Sequence, residues 1–135
     1  MTTPLNIVLV RPEIPHNTGA IGRVCVGLGC RLHLIRPLGF RLTERHLRRA
    51  GMDYWEHLDL CVHDSWDAYL AAAAPARMLF LSTRGERSLY ACAFEPGDTL
   101  VFGSEGRGLP DGFYPRYRER LFRIPMPGAH ARSIN

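Results

Sequence analysis

Four short segments of this chain hold residue types that could do chemistry. The first, Arg11-Pro-Glu-Ile-Pro-His-Asn-Thr-Gly-Ala-Ile-Gly-Arg23, follows an apolar run and leads into a helix start. Free backbone N–H groups and the positive end of a helix dipole favour an anion there. Asn17, Thr18 and Gly19 are therefore candidates to cradle a phosphate, with Arg23 about one and a half turns into the helix. The plain alternative is an ordinary capped helix carrying a solvated arginine. The second segment, Phe102-Gly-Ser-Glu-Gly-Arg-Gly-Leu-Pro110, sets Glu105 and Arg107 among three glycines. Such a loop lets the backbone turn sharply or come close to a ligand. Its order is G-x-x-G-x-G, so neither the dinucleotide fingerprint nor the P-loop matches. The third, Leu81-Ser-Thr-Arg-Gly85, reads only as a turn with hydroxyls. The fourth runs from Arg123 through Ile-Pro-Met-Pro-Gly-Ala-His-Ala-Arg-Ser-Ile-Asn135, an extended and then turning path.

These segments need a frame. Leu5–Val10, Arg31–Ile35, Leu58–His63, Met78–Ser82, Thr99–Gly103 and Leu121–Pro125 read as short β-rich runs. Asn17 or Thr18 is expected to cap a helix with Ile21, Val24, Cys25 and Leu28 on one face, stopped by Gly29. Thr43 opens a basic helical stretch, Glu44 to Ala50, and Ser65 caps a helix that Pro75 closes. Asp111 to Arg120 is expected to be helical in part. Strands alternating with helices imply an α/β domain with a parallel sheet of five or six strands. Ligands of such sheets bind beyond the carboxyl ends of the strands. That rule selects the loops after Val10, Ser82, Gly103 and Pro125, which hold nearly all the unusual residues.

With 135 residues, the chain suffices for one core, so residues 1–135 are read as a single domain. Neither a signal peptide nor a membrane-length apolar stretch is apparent. All seventeen basic residues are arginine, and they outnumber the thirteen acids. No lysine is present to form a Schiff base or act as a general base, whereas arginine offers a rigid donor fork suited to phosphate. The basic excess favours an anionic partner such as nucleic acid. Cys25, Cys30, Cys61 and Cys92 form no CxxC pair and read as free, mostly buried thiols of a reducing cytoplasm. The six histidines are scattered, so no metal site is expected.

Together, Asn17-Thr18-Gly19 with Arg23, the Phe102–Pro110 loop, and Arg123-Ile-Pro-Met126 with Arg132-Ser-Ile-Asn135 resemble the three ordered motifs of SPOUT-superfamily RNA 2′-O-methyltransferases. Leu5–Val10, Arg11-Pro-Glu-Ile-Pro15 and Arg48-Arg-Ala-Gly-Met-Asp-Tyr54 are similar to the small tRNA (cytidine/uridine-2′-O-)-methyltransferase family within it. The resemblance covers essentially the whole chain. It implies S-adenosylmethionine as methyl donor and the wobble ribose of tRNA, in the anticodon stem-loop, as acceptor. It also implies a cytoplasmic homodimer with a C-terminal trefoil knot on a Rossmann-like sheet.

Family cofactor positions fall on Leu81, Gly103, Ile124 and Ser133, with Glu105 and Met126 lining the same pocket. Arg23, Asn17 and Asn135 match positions tied to catalysis or active-site assembly, and Arg107 and Arg132 match substrate positions. The basic run holding Arg41, Arg45, His46, Arg48 and Arg49 is expected to grip the RNA, with a solvated helix face as the plain alternative. His16 stands where relatives commonly carry proline and is expected to face solvent. The family continues past Ser-Ile-Asn into a further helix, so the knot is expected to be incomplete in the chain as given. Competing readings are a ribose methyltransferase for another RNA and a non-catalytic RNA- or cofactor-binding module.

Overall fold

The computed structural model describes residues 4–43 and 54–129. The apolar runs become seven strands: β1 (Leu5–Val10), β2 (Arg31–Ile35), β3 (Leu60–His63), β4 (Met78–Leu81), β5 (Arg87–Ser88), β6 (Asp98–Phe102) and β7 (Leu121–Arg123). All pair in parallel, in the order β3-β2-β1-β6-β4-β7-β5. The α/β class expected from the sequence is what forms. The sheet has one strand more than expected because β5, only two residues long, is too short to show a pattern.

A parallel sheet buries both faces, so its strands read as near-continuous apolar runs. Successive side chains then divide between two cores. Val8, Val10, Phe80 and Val101 point to one face with Leu109 and Phe113. Leu9, Leu32 and Leu34 point to the other with Cys25 and Cys30. The second face is covered by α1 (Pro15–Leu28), the first by α2 (Trp66–Ala73) and α3 (Phe113–Arg116). Ser65 caps α2 as expected, its hydroxyl accepting the Ala68 N–H at 3.0 Å.

Two expectations for α1 need correction. The helix begins at Pro15 with Ile14 before it and no side-chain cap of its own, so neither Asn17 nor Thr18 caps it. Proline at the first helical position lacks the N–H that would need capping and has φ preset. The expected apolar face is also only partly buried: Cys25 packs inside, but Val24 is 58% and Leu28 64% exposed. Gly29 does end the helix, at φ 70°, which only glycine takes up without strain.

An aromatic cluster fixes the segment after the glycine loop. Phe80 stacks on Tyr117 with ring centroids 4.2 Å apart, and Trp66 packs on Phe113 at 4.7 Å. The Trp66 indole N–H donates to the Tyr117 hydroxyl at 3.0 Å. These contacts hold both ends of α3 against α2 and the sheet. All four cysteines are free; Cys25 and Cys30 are buried, Cys61 and Cys92 half-buried. Burial, with Cys30 beside it, pushes the Cys25 thiol up to about 12, so it stays an inert core group. Among the described residues, no helix is long and apolar enough to cross a membrane.

Candidate active site

The strands β1, β6, β4 and β7 are immediate neighbours, so the four loops singled out from the sequence leave one stretch of the sheet's carboxyl edge. Leu9 and Leu81 both pair with Phe102, and Leu81 pairs with Phe122. This register brings Leu81, Gly103 and the Ile124 that follows β7 to three adjacent strand ends. Leu81 is buried with Leu79 and Phe122, and Ile124 and Phe102 pack against that group. Met126 is half-buried on the same outgoing segment.

Gly103 is required for the loop's path. A Cβ placed on it would lie 2.1 Å from the Gly108 carbonyl carbon and 2.3 Å from the Leu109 nitrogen. The loop returns on itself through two backbone bonds, Ser104 N–H to Gly108 oxygen at 3.0 Å and Gly108 N–H to Ser104 oxygen at 2.9 Å. This closed loop presents its interior to the α1 start. Glu105 carboxylate oxygens accept the Glu13 N–H at 2.9 Å, the Ile14 N–H at 2.8 Å and the Asn17 side-chain amide at 3.3 Å. Glu13 replies, its carboxylate accepting the Gly106 N–H at 2.6 Å.

The helix start is thus capped from 88 to 92 residues away in sequence. The anion at the α1 N-terminus is the protein's own carboxylate, where the sequence suggests Asn17, Thr18 and Gly19 as candidates to cradle a phosphate. The Asn17 and Thr18 N–H groups already donate to the Ile14 oxygen, and Thr18 is fully buried. Replacing Glu105 by Gln keeps the shape but removes the charge facing the helix dipole. Glu105→Gln should cost about 1 kcal/mol in urea unfolding, through weaker charge-assisted hydrogen bonds. An unchanged midpoint would contradict this capping role.

Arg23 is exposed on α1, roughly two turns from its start, and Arg107 is exposed on the glycine loop. His16 faces solvent, as expected, and Arg41 is exposed. Arg45, His46, Arg48 and Arg49 lie outside the described residues, as do Arg132, Ser133 and Asn135. Tyr54, from one of the minor signatures, donates its hydroxyl to the Gly19 oxygen on α1.

Sequence reasoning missed Glu13, whose signal was an acid just before a proline-started helix. It also missed a polar cavity of about 450 Å³ at the opposite, amino-terminal end of the strands, where Asn6, Arg31 and Thr99 meet His33, His63 and Tyr69. There one ring nitrogen donates to the other between His33 Nδ1 and His63 Nε2, at 2.9 Å. Among the described residues, no group of three or more His, Cys, Asp or Glu side chains could hold a metal ion.

Residues 4–135 match the model of the SpoU rRNA Methylase family. The chain belongs to this family. Its SpoU relatives include the tRNA (cytidine(34)-2′-O)-methyltransferase of Burkholderia ambifaria, 52% identical over 134 residues, covering 96% of this chain and 85% of that protein. The protein of the same name from Methylovorus glucosotrophus is 48% identical over 134 residues, covering 96% of this chain and 84% of that one. A solved structure described as giving insight into 2-OH methylation of C/U34 on tRNA superposes with a TM-score of 0.88 at 51% identity. That match covers 97% of this chain and 85% of the other. An AdoMet-bound rRNA methyltransferase from Sinorhizobium meliloti shares the SpoU fold at TM-score 0.80 and 21% identity, covering 100% of this chain and 52% of that one.

Proposed function

We propose that this SpoU-family chain transfers a methyl group from S-adenosylmethionine to the ribose 2′-hydroxyl of the wobble nucleotide, cytidine or uridine, of tRNA. The observation that carries the reading is the 52% identity, across nearly the whole chain, to a tRNA (cytidine(34)-2′-O)-methyltransferase. The loop geometry fits the cofactor. Leu81 and Ile124 belong to one apolar cluster at adjacent strand ends, with Met126 beyond them, which suits an adenine, and the closed backbone between Gly103 and Gly108 lies beside them. Ser133 completes this set by its place in the motif. Bound there, S-adenosylmethionine supplies an electrophilic methyl on a sulfonium.

The protein's contribution is orientation and proton removal. Holding the ribose oxygen in line with the methyl accounts for up to roughly 7–11 kcal/mol in the most favourable intramolecular cases. The O–C bond forms as the S–C bond breaks, and the hydroxyl proton must leave. Arginine is a hydrogen-bond donor without an acceptor site, so Arg23 does not serve as the base. It instead polarises the hydroxyl together with an RNA phosphate, which takes the proton. Asn17, held on Glu105, keeps the α1 start and the glycine loop in register. Arg107, Arg132 and Asn135 assemble the substrate side, and the run with Arg45, Arg48 and Arg49 grips the anticodon stem. The exposed Val24 and Leu28, one turn apart on α1, support association as a homodimer. A tRNA substrate and free thiols favour a cytoplasmic location.

The test is methyl transfer to tRNA, with the product nucleotide identified by mass spectrometry. Wild-type protein should mark the wobble ribose. Arg23→Lys should lower kcat by about 100-fold or more, since a point charge replaces a two-pronged donor at an oriented step. Methylation of ribosomal RNA but not tRNA would move the assignment to another RNA. Tight S-adenosylhomocysteine binding with no transfer to either would leave a binding module.

A further inference from the structure

The arginines of this chain divide by what their guanidiniums touch. Arg31 pairs with Asp59, Arg36 with Asp64, and Arg77 with Glu95 and Asp98. Arg87 and Arg123 donate to backbone oxygens. Arg84 and Arg118 have no carboxylate partner among the described residues, yet both line one cavity of about 290 Å³. Its other walls are Tyr114, Pro115 and Leu121, with Glu86 the single acid.

One of the cavity's two cations, Arg84, is held in position. The Arg84 guanidinium lies over the Tyr114 ring, 4.4 Å from its centroid. The Arg84 backbone N–H donates to the Ser82 hydroxyl at 3.1 Å, which fixes the turn after β4. Tyr114 is fixed in turn because Phe113 and Tyr117 on either side belong to the aromatic cluster. A planar guanidinium lying flat on a ring keeps its N–H edge open to an incoming oxyanion. Tyr114 also ties the cavity to the candidate active site: a Cβ on Gly108, in the glycine loop, would sit 3.3 Å from its hydroxyl.

We propose that the cavity bounded by Arg84, Tyr114 and Arg118 is a subsite for a backbone phosphate of the RNA substrate, with the adjoining sugar against Pro115 and Leu121. The occupant is a polynucleotide and not a free phosphate, because half of the wall is apolar and would leave a bare anion poorly solvated. Two arginines on one phosphate add affinity and orientation but read no sequence. The inference rests on the RNA-methylating reading above and deepens it.

The test measures tRNA affinity between about 50 and 200 mM salt for the full chain and four variants. Arg84→Ala and Arg118→Ala should each remove part of the slope of log affinity against log salt, out of the about 0.7–0.9 that the one phosphate they share contributes. Tyr114→Ala should match Arg84→Ala, whereas Tyr114→Phe, which keeps the ring under the guanidinium, should restore the slope. Thermal midpoints of all four confirm folding. Wild-type slopes in both arginine variants would overturn the subsite while leaving the enzyme reading intact. A wild-type chain that binds no tRNA would overturn both.

Discussion

Gly103→Ala should abolish methyl transfer and destabilise the fold by about 2–3 kcal/mol, the cost of forcing a methyl group into a filled space. The added carbon would meet backbone, not a movable side chain: the Gly108 carbonyl carbon at 2.1 Å, its oxygen at 2.5 Å and the Leu109 nitrogen at 2.3 Å. Leu109 cannot retreat, because it is 2% exposed in the core with Phe80 and Phe113. The strain must therefore open the Ser104–Gly108 bridge. Opening it carries Glu105 away from the α1 start and uncaps the Glu13 and Ile14 N–H groups. Displacement of about 1 Å in such a positioning loop is enough for a 100-fold loss of rate. Gly112→Ala is the matched control, since a Cβ there meets nothing within 4 Å. It should stay within about 0.5 kcal/mol of wild type. Urea unfolding, S-adenosylhomocysteine calorimetry and tRNA methylation separate the outcomes. A Gly103→Ala protein with wild-type affinity and rate would show that the closed loop is not the functional conformation.

The strands were legible because a sheet buried on both faces leaves unbroken apolar runs such as Leu5–Val10 and Met78–Leu81. Their ends were less so. The last strand stops at Arg123, before Pro125, and the third begins at Leu60 because a 3-10 turn occupies Trp55–His57. Location of the site was legible for a topological reason: loops after parallel strands collect at one edge, and here β1, β6, β4 and β7 adjoin. What could not be read was any pairing set by the three-dimensional path. The capping of α1 misled local reasoning, since the acceptor arrives from Glu105 on another loop. The Arg84–Tyr114 stack spans thirty residues of sequence with no local pattern to mark it. His33 is a polar residue within an apolar strand, yet it is 5% exposed because His63 and Tyr69 satisfy it from neighbouring elements.

That buried histidine should give the fold a steep acid limb. Burial, then the neighbouring His63 and Arg31, lower His33 from 6.5 to about 4, with Asp59 opposing weakly. His63 is lowered too, by burial, while Tyr69 packs on both rings and Cys61 lines the same cavity. The folded protein thus holds its His33 proton less tightly than the unfolded chain does. Above pH 6.5 neither state is protonated and the stability is unaffected. As pH falls from 6.5 towards about 4, the unfolded chain takes up the proton first, and native stability declines. The full loss is about 3 kcal/mol, a large share of a small domain's total. His33→Gln keeps a hydrogen-bonding partner for His63 but removes this titration. Urea unfolding of both proteins at intervals from pH 7.5 to 4.5 isolates the effect, because carboxylate titration is common to the two. The gap between wild-type and variant stability should shift by about 1 kcal/mol for each pH unit below 6.5. Parallel curves would mean that His33 is protonated in the folded state as readily as in the unfolded chain, and that its pairing with His63 does not hold it neutral.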